Sequence, residues 1–160
     1  MYDLTRIYPE DVYGPSGSQY AYGQHESYAI AVSKKGRPNH MVKVYRAIPK
    51  DLKRVKINAG DWVTTSRAYA KEHGQDNLNN NYRIISASVP ARHLWTTGDS
   101  FDEWGYDPSV PRPSDEQEEE LRAKFGMRSM AEVKELRREQ LRKTMERNPD
   151  LCKDIVLDEK

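Results

Sequence analysis

The alternation of apolar and polar positions is clearest in the middle of the chain. In MVKVYRAIP, residues 41–49, Val42, Val44 and Arg46 fall on one face and Met41, Lys43, Tyr45 and Ala47 on the other, and a proline closes the run, so the period predicts a β-strand. A second strand is predicted over about Asp61 to Thr65. It is followed by a short helix, SRAYAKEHG, with Ser66 as its N-cap and Gly74 just past its end. DNLNNN reads as a loop, and YRIISASVP, 82–90, as a third strand. HLWTTGDSFDEWGYDP then gives a fourth short strand, a polar turn and a Trp-centred segment ending at Pro108. Upstream, ESYAIAVSK suits a short helix stopped by Gly36 and Pro38, and YGPSGSQYAYG suits loop and short turns.

After Pro108 the pattern changes. PSVPRPS is a proline-punctuated linker. Residues 115–147 are dominated by charge, acids first and bases later, in the order that favours a helix dipole. Ser129 and Glu132 form a capping-box pattern, so Gly126 divides one helix from a second running about 130–147. The seam of that second helix (Met130, Val133, Leu136, Leu141, Met145) is thin and suits packing along one stripe or a partner. The chain is therefore expected to be α+β, with a domain over 1–107, a linker over 108–114 and a charged helical tail over 115–160.

Composition narrows the picture. A chain of 160 residues holds one ordinary domain and an appendage. With 26 basic and 25 acidic side chains, the net charge gives no global reason to expect a nucleic-acid or anionic-membrane partner. Only 36% of residues are apolar, so the core must lean on its aromatics, and six of the ten tyrosines lie before residue 41. The lone Cys152 and the absence of a leader pattern in MYDLTRIYPED predict a reducing, cytoplasmic setting. Nothing approaches the roughly 18 apolar residues a membrane span needs.

Candidate chemistry is sparse. His25, His40, His73 and His93 show no metal-ligand spacing, and neither a P-loop nor GxGxxG occurs. Arg46 sits among apolar strand neighbours, where a guanidinium needs an anion, a carboxylate of the chain or solvent. The triplet Thr64, Thr65, Ser66 ends a strand in hydroxyls, which suits β-branched propensity and a helix cap as well as a ligand. Glu103 lies between Phe101, Trp104 and Tyr106. KELRREQLRK, with its interleaved acids, reads as a salt-bridged solvent face.

The order of these features carries a resemblance. VYRAIP, INAGDWVTTSRAYAKEHG and GDSFDEWGYDP together resemble the Arg-Ser-Glu branch of the ADP-ribosyltransferase family, in particular the small domains of phage and polyvalent proteins. The likeness covers about 41–107. It implies a split β-sheet domain using NAD as co-substrate, with Glu103, Ser66 and Arg46 catalytic. Arg46 would hold phosphate and ribose; Ser66, backed by Thr64 and Thr65, would fix the nicotinamide ribose; Tyr69 or Trp62 would pack on the nicotinamide. It also implies a bacterial protein target in the host cytoplasm, a defence complex among the candidates, with a nucleic-acid acceptor left open and no membrane partner. Phe101 stands two before Glu103, where many members carry an acceptor-directing Glu or Gln, and this leaves the acceptor unassigned. The competing reading is a non-catalytic protein that blocks a partner through its domain surface and helical tail.

Overall fold

Trp104 and Phe101 are the largest side chains fully removed from solvent, and the N-terminal unit is assembled round them. The computed structural model describes residues 1–53 and 55–148 and divides the chain into two units, Met1–Glu118 and Glu119–Lys160. Cys152 lies outside the described residues.

The first unit opens with three 3-10 turns, Leu4–Arg6, Glu10–Tyr13 and Gly17–Ala21, followed by helix α1 (His25–Ser33). Then come β1 (Met41–Pro49), β2 (Trp62–Val63), α2 (Arg67–Asn77), β3 (Tyr82–Pro90), β4 (Leu94–Trp95) and β5 (Trp104–Tyr106). The strands make two small antiparallel sheets: β1 pairs with β3, with Arg46 opposite Ile85, and β5 runs between β2 and β4. The unit is α+β. One isolated bridge joins the sheets, Tyr45 and Thr64 exchanging backbone hydrogen bonds of 2.7 and 2.9 Å.

Aromatic packing supplies what the low apolar fraction withholds. Phe101 stacks on Tyr8 with ring centroids 4.9 Å apart and meets Tyr28 edge-on at 5.3 Å. The polar tips of these rings are satisfied: Trp104 Nε1 donates to the Phe101 carbonyl at 2.7 Å, Tyr28 to the Val12 carbonyl at 2.7 Å and Tyr8 to the Gly98 carbonyl at 3.0 Å. The Tyr-rich N-terminal section thus belongs to the same core as the strands. On β1, Val42 and Val44 are buried as the period requires, but Ala47 and Ile48 are both buried too, in a strand against which α2 packs.

Three local expectations change. α2 does not stop before Gly74 but continues to Asn77, and Gly74 is buried within it against the Tyr82 ring, which a Cβ would strike. The missing side chain serves helix-to-strand packing instead of termination, and the chain reverses at Asn79 and Asn80, both in the left-handed region that Asn tolerates. WGY, read only as a Trp-centred segment, is the central strand of its sheet; Gly105 leaves room for the Trp95 indole to lie over it. Finally, the first unit extends beyond the proline linker: Arg92 Nε donates to the Val110 carbonyl at 3.3 Å, Arg112 pairs with Glu118 at 3.7 Å, and Asn39 donates to Glu118.

Helix α3 (Asp115–Lys124) ends at Gly126, whose φ of 61° suits the reversal, and α4 (Met130–Arg147) begins with the capping box of Ser129 and Glu132. Glu119 accepts from the Met130 backbone at 3.0 and 3.1 Å. Along α4, Lys143 pairs with Glu139 at 2.6 Å and Arg142 with Glu146 at 3.8 Å, the ladder of a solvated helix face. None of its side chains is fully buried. Among the described residues no helix is long and apolar enough to cross a membrane.

Truncating the central ring tests this core. Trp104→Ala is expected to lower the stability of the unit by about 3–5 kcal/mol in chemical denaturation; a loss below about 1 kcal/mol would mean that the aromatic cluster is not the core.

Candidate functional site

Where the sheets part, beside the Tyr45–Thr64 bridge, lies a cleft of about 310 Å³. Its wall includes Arg46 from β1, Trp62 and Thr64 from the β2 segment, Tyr69 and His73 from α2, and Glu103 from the loop before β5. These residues are scattered along the sequence. The bridge brings β1 beside β2, and β5 carries Glu103 in next to β2.

Glu103 is exposed although both of its flanking anchors are buried. Phe101 and Trp104 plunge into the core three residues apart, and the carboxylate between them is turned out. The loop is held from below by α1 and the residue before it: Gln24 Oε1 accepts from the Phe101 backbone at 2.6 Å and from Ser100 Oγ at 3.3 Å, and Ser27 Oγ donates to the Asp102 carboxylate. At the cleft, the Tyr69 hydroxyl donates to Glu103 Oε1 at 2.8 Å. Partial burial, then the hydrogen bond to Glu103 and its charge, push the Tyr69 phenol up to about 12. It is a neutral donor that orients the carboxylate across the whole ordinary pH range.

Arg46 answers the question its strand position raised. Its Nη2 lies 3.4 Å from Asp61 Oδ1 and its Nη1 donates to the Trp62 carbonyl. Asp61 is itself fixed, accepting from the Asn58 backbone at 2.8 Å. A guanidinium has five N–H donors, so these bonds set the plane of the fork without exhausting it, and the side chain remains 32% exposed to the cleft. The sequence reading missed Asp61 as the partner; the available signal was the need of an in-strand Arg for a carboxylate, met by the acid one residue before β2. It also missed His73 and Lys56, which line the cleft and carry no motif of their own.

The hydroxyl triplet divides. Thr64 reaches the wall, and its Oγ1 accepts from the Ser66 backbone at 3.0 Å. Ser66 is 7% exposed, and its Oγ accepts from the Tyr69 backbone at 3.2 Å, the N-cap of α2. Thr65 is 4% exposed, and its hydroxyl has no hydrogen-bond partner among the described residues. Thr65 and Ser66 thus lie beneath the cleft and outside its wall. Their tie to the site is indirect: the Ser66 cap fixes the first turn of α2, which carries Tyr69.

Trp62 is 45% exposed and its ring rests on Trp95, with centroids 5.1 Å apart, so the mouth of the cleft has an aromatic platform. The wall combines a fork of cationic donors, an oriented carboxylate and aromatic surface, a set suited to a ligand with phosphate, sugar and a flat ring. Among the described residues no cluster of metal-ligating side chains forms. Comparison of the chain with protein-family models, with curated proteins and with solved structures returned no match.

The Tyr69–Glu103 bond has a pH signature. A phenol titrating near 12 in the folded chain and near 10 when unfolded contributes stability fully present below pH 10 and lost as pH rises towards 12. In a spectrophotometric titration with Tyr69→Phe as the subtraction control, Glu103→Gln is expected to lower the Tyr69 midpoint. An unchanged midpoint would mean that the two groups do not interact.

Proposed function

We propose that the chain is a small ADP-ribosyltransferase that uses NAD as co-substrate and modifies a macromolecule of a bacterial host, with a split β-sheet of the ADP-ribosyltransferase kind as its scaffold. The observation that carries this reading is the meeting of Arg46, Thr64 and Glu103 at one cleft between two sheets, with Trp62 and Tyr69 beside them. The free donors of Arg46 hold the pyrophosphate, for which a planar fork is well matched. Trp62 packs on the nicotinamide ring, whose positive charge favours an aromatic face. Glu103, oriented by Tyr69, binds the 2′-hydroxyl of the nicotinamide ribose.

In the reaction the bond from ribose C1′ to the nicotinamide nitrogen breaks. Its electron pair leaves with the nicotinamide, which becomes neutral, and positive charge develops on the ribose. A carboxylate at the 2′-hydroxyl stabilises that charge as it forms. The lone pair of the acceptor then closes on C1′, and its proton passes to solvent. Ser66 acts here as a positioning residue through the cap of α2, and not as a direct clamp on the sugar.

The test uses the full chain, NAD labelled in its adenylate half, and bacterial lysate. Wild type is expected to transfer label to an acceptor, and Glu103→Gln to reduce transfer at least about 100-fold while retaining NAD binding. Arg46→Ala is expected chiefly to weaken NAD binding. Equal labelling by wild type and Glu103→Gln, or no NAD binding by wild type in calorimetry, would overturn the reading.

A further inference from the structure

α2 borders two concavities. Tyr69, Ala70 and His73 line the first cleft; Arg67 and Lys71, one turn apart on the same helix, line a second of about 520 Å³, together with Lys50, Asn80, Tyr82 and Arg83. Among the described residues no acidic side chain lines this second cleft and none of its four cations forms an ion pair. In a chain of 26 basic and 25 acidic residues, four cations sharing one hollow with no acid in its described lining are a local departure. Each repels the others, and a bound anion relieves that repulsion. Arg83 adds a second sign: its Nη2 donates to the Leu52 carbonyl, but its Nε is buried without a partner among the described residues.

We infer that the second cleft binds the phosphodiester backbone of a single-stranded nucleic acid. The four cations come from the residue after β1, the start of β3 and two turns of α2, and a hollow lined by four cations suits more than one phosphate. Tyr82 lies among them; its ring rests on Gly74, and the surface it leaves towards the hollow can meet an unpaired base. Lys50 lines this hollow and Lys56 lines the first cleft, and α2 contributes residues to both. A strand bound here can therefore present a nucleobase or a terminus at Glu103. As a binding site this stands apart from the NAD reading; as the acceptor site it rests on it.

Fluorescence anisotropy with end-labelled RNA and DNA strands of about 12 nucleotides tests the inference in the absence of NAD, so its failure leaves the NAD reading untouched. Wild type is expected to bind single strands with a slope of log K on log salt of about −2 to −3, as for about four neutralised phosphates. Arg67→Glu with Lys71→Glu, both at exposed positions, should weaken binding at least about tenfold and flatten the slope. Arg37→Glu with Lys43→Glu, exposed positions of the same unit outside the hollow's lining, should change it less than about twofold. Comparison of the RNA and DNA arms reports which sugar is preferred. No binding by wild type, equal affinity for duplex or for polyglutamate, or a loss caused equally by the Arg37 and Lys43 variant would each overturn the assignment.

Discussion

The first cleft depends on the anchoring of one loop by two buried rings. Phe101 and Trp104 are each drawn into the aromatic core, and the turn between them, closed by the indole donating to the Phe101 carbonyl, leaves Glu103 no inward path. The same rings fix the start of β5, and β5 in turn joins β2 to β4. Burial of large apolar rings is the strongest stabilising contribution available to a chain so rich in charge. Here it holds a carboxylate at the surface in a defined place. Gln24 and Ser27 add the polar ties that stop the loop from sliding over that core.

On the opposite wall the constraint is electrostatic. The half-buried guanidinium of Arg46 is met by Asp61 at the entrance to β2, so the ion pair and the Tyr45–Thr64 bridge lock the same two segments together. Cation and carboxylate of the cleft are thereby held by separate partners, Asp61 for Arg46 and Tyr69 for Glu103, and neither neutralises the other. Such a site leaves the Glu103 carboxylate exposed to a ligand, while Arg46, paired with Asp61, offers its remaining N–H donors. α2 connects the wall to the second, basic hollow, since alternate faces of one helix serve the two clefts.

Much of the architecture was legible wherever periodicity or a terminal signal acts over a few residues. The strands at 41–49 and 82–90, the Ser66 cap and the capping box at Ser129 follow from local rules. Gly74 misled because a glycine near the end of a helical pattern ordinarily terminates it, and nothing local announces that Tyr82 will need the space. WGY was not legible as a strand, since three residues show no period and the pairing comes wholly from β2 and β4. At the site, Arg46 and Glu103 stood out because each is a charge among apolar neighbours. The division of the Thr-Thr-Ser run did not: which hydroxyl reaches the wall and which is buried depends on how the bridge at Thr64 turns the chain into α2. Asp61, Lys56 and the basic hollow were hidden because long-range packing alone assembles them.

The chemistry assigned to Glu103 separates a transferring enzyme from a protein that only occupies its target. Intact-mass analysis of bacterial proteins and nucleic acids after exposure to the full chain and NAD measures that difference most directly. The account predicts a target heavier by one ADP-ribose with wild type and unmodified with Glu103→Gln. A target bound tightly by both proteins, inhibited equally by both, and never increased in mass would contradict it.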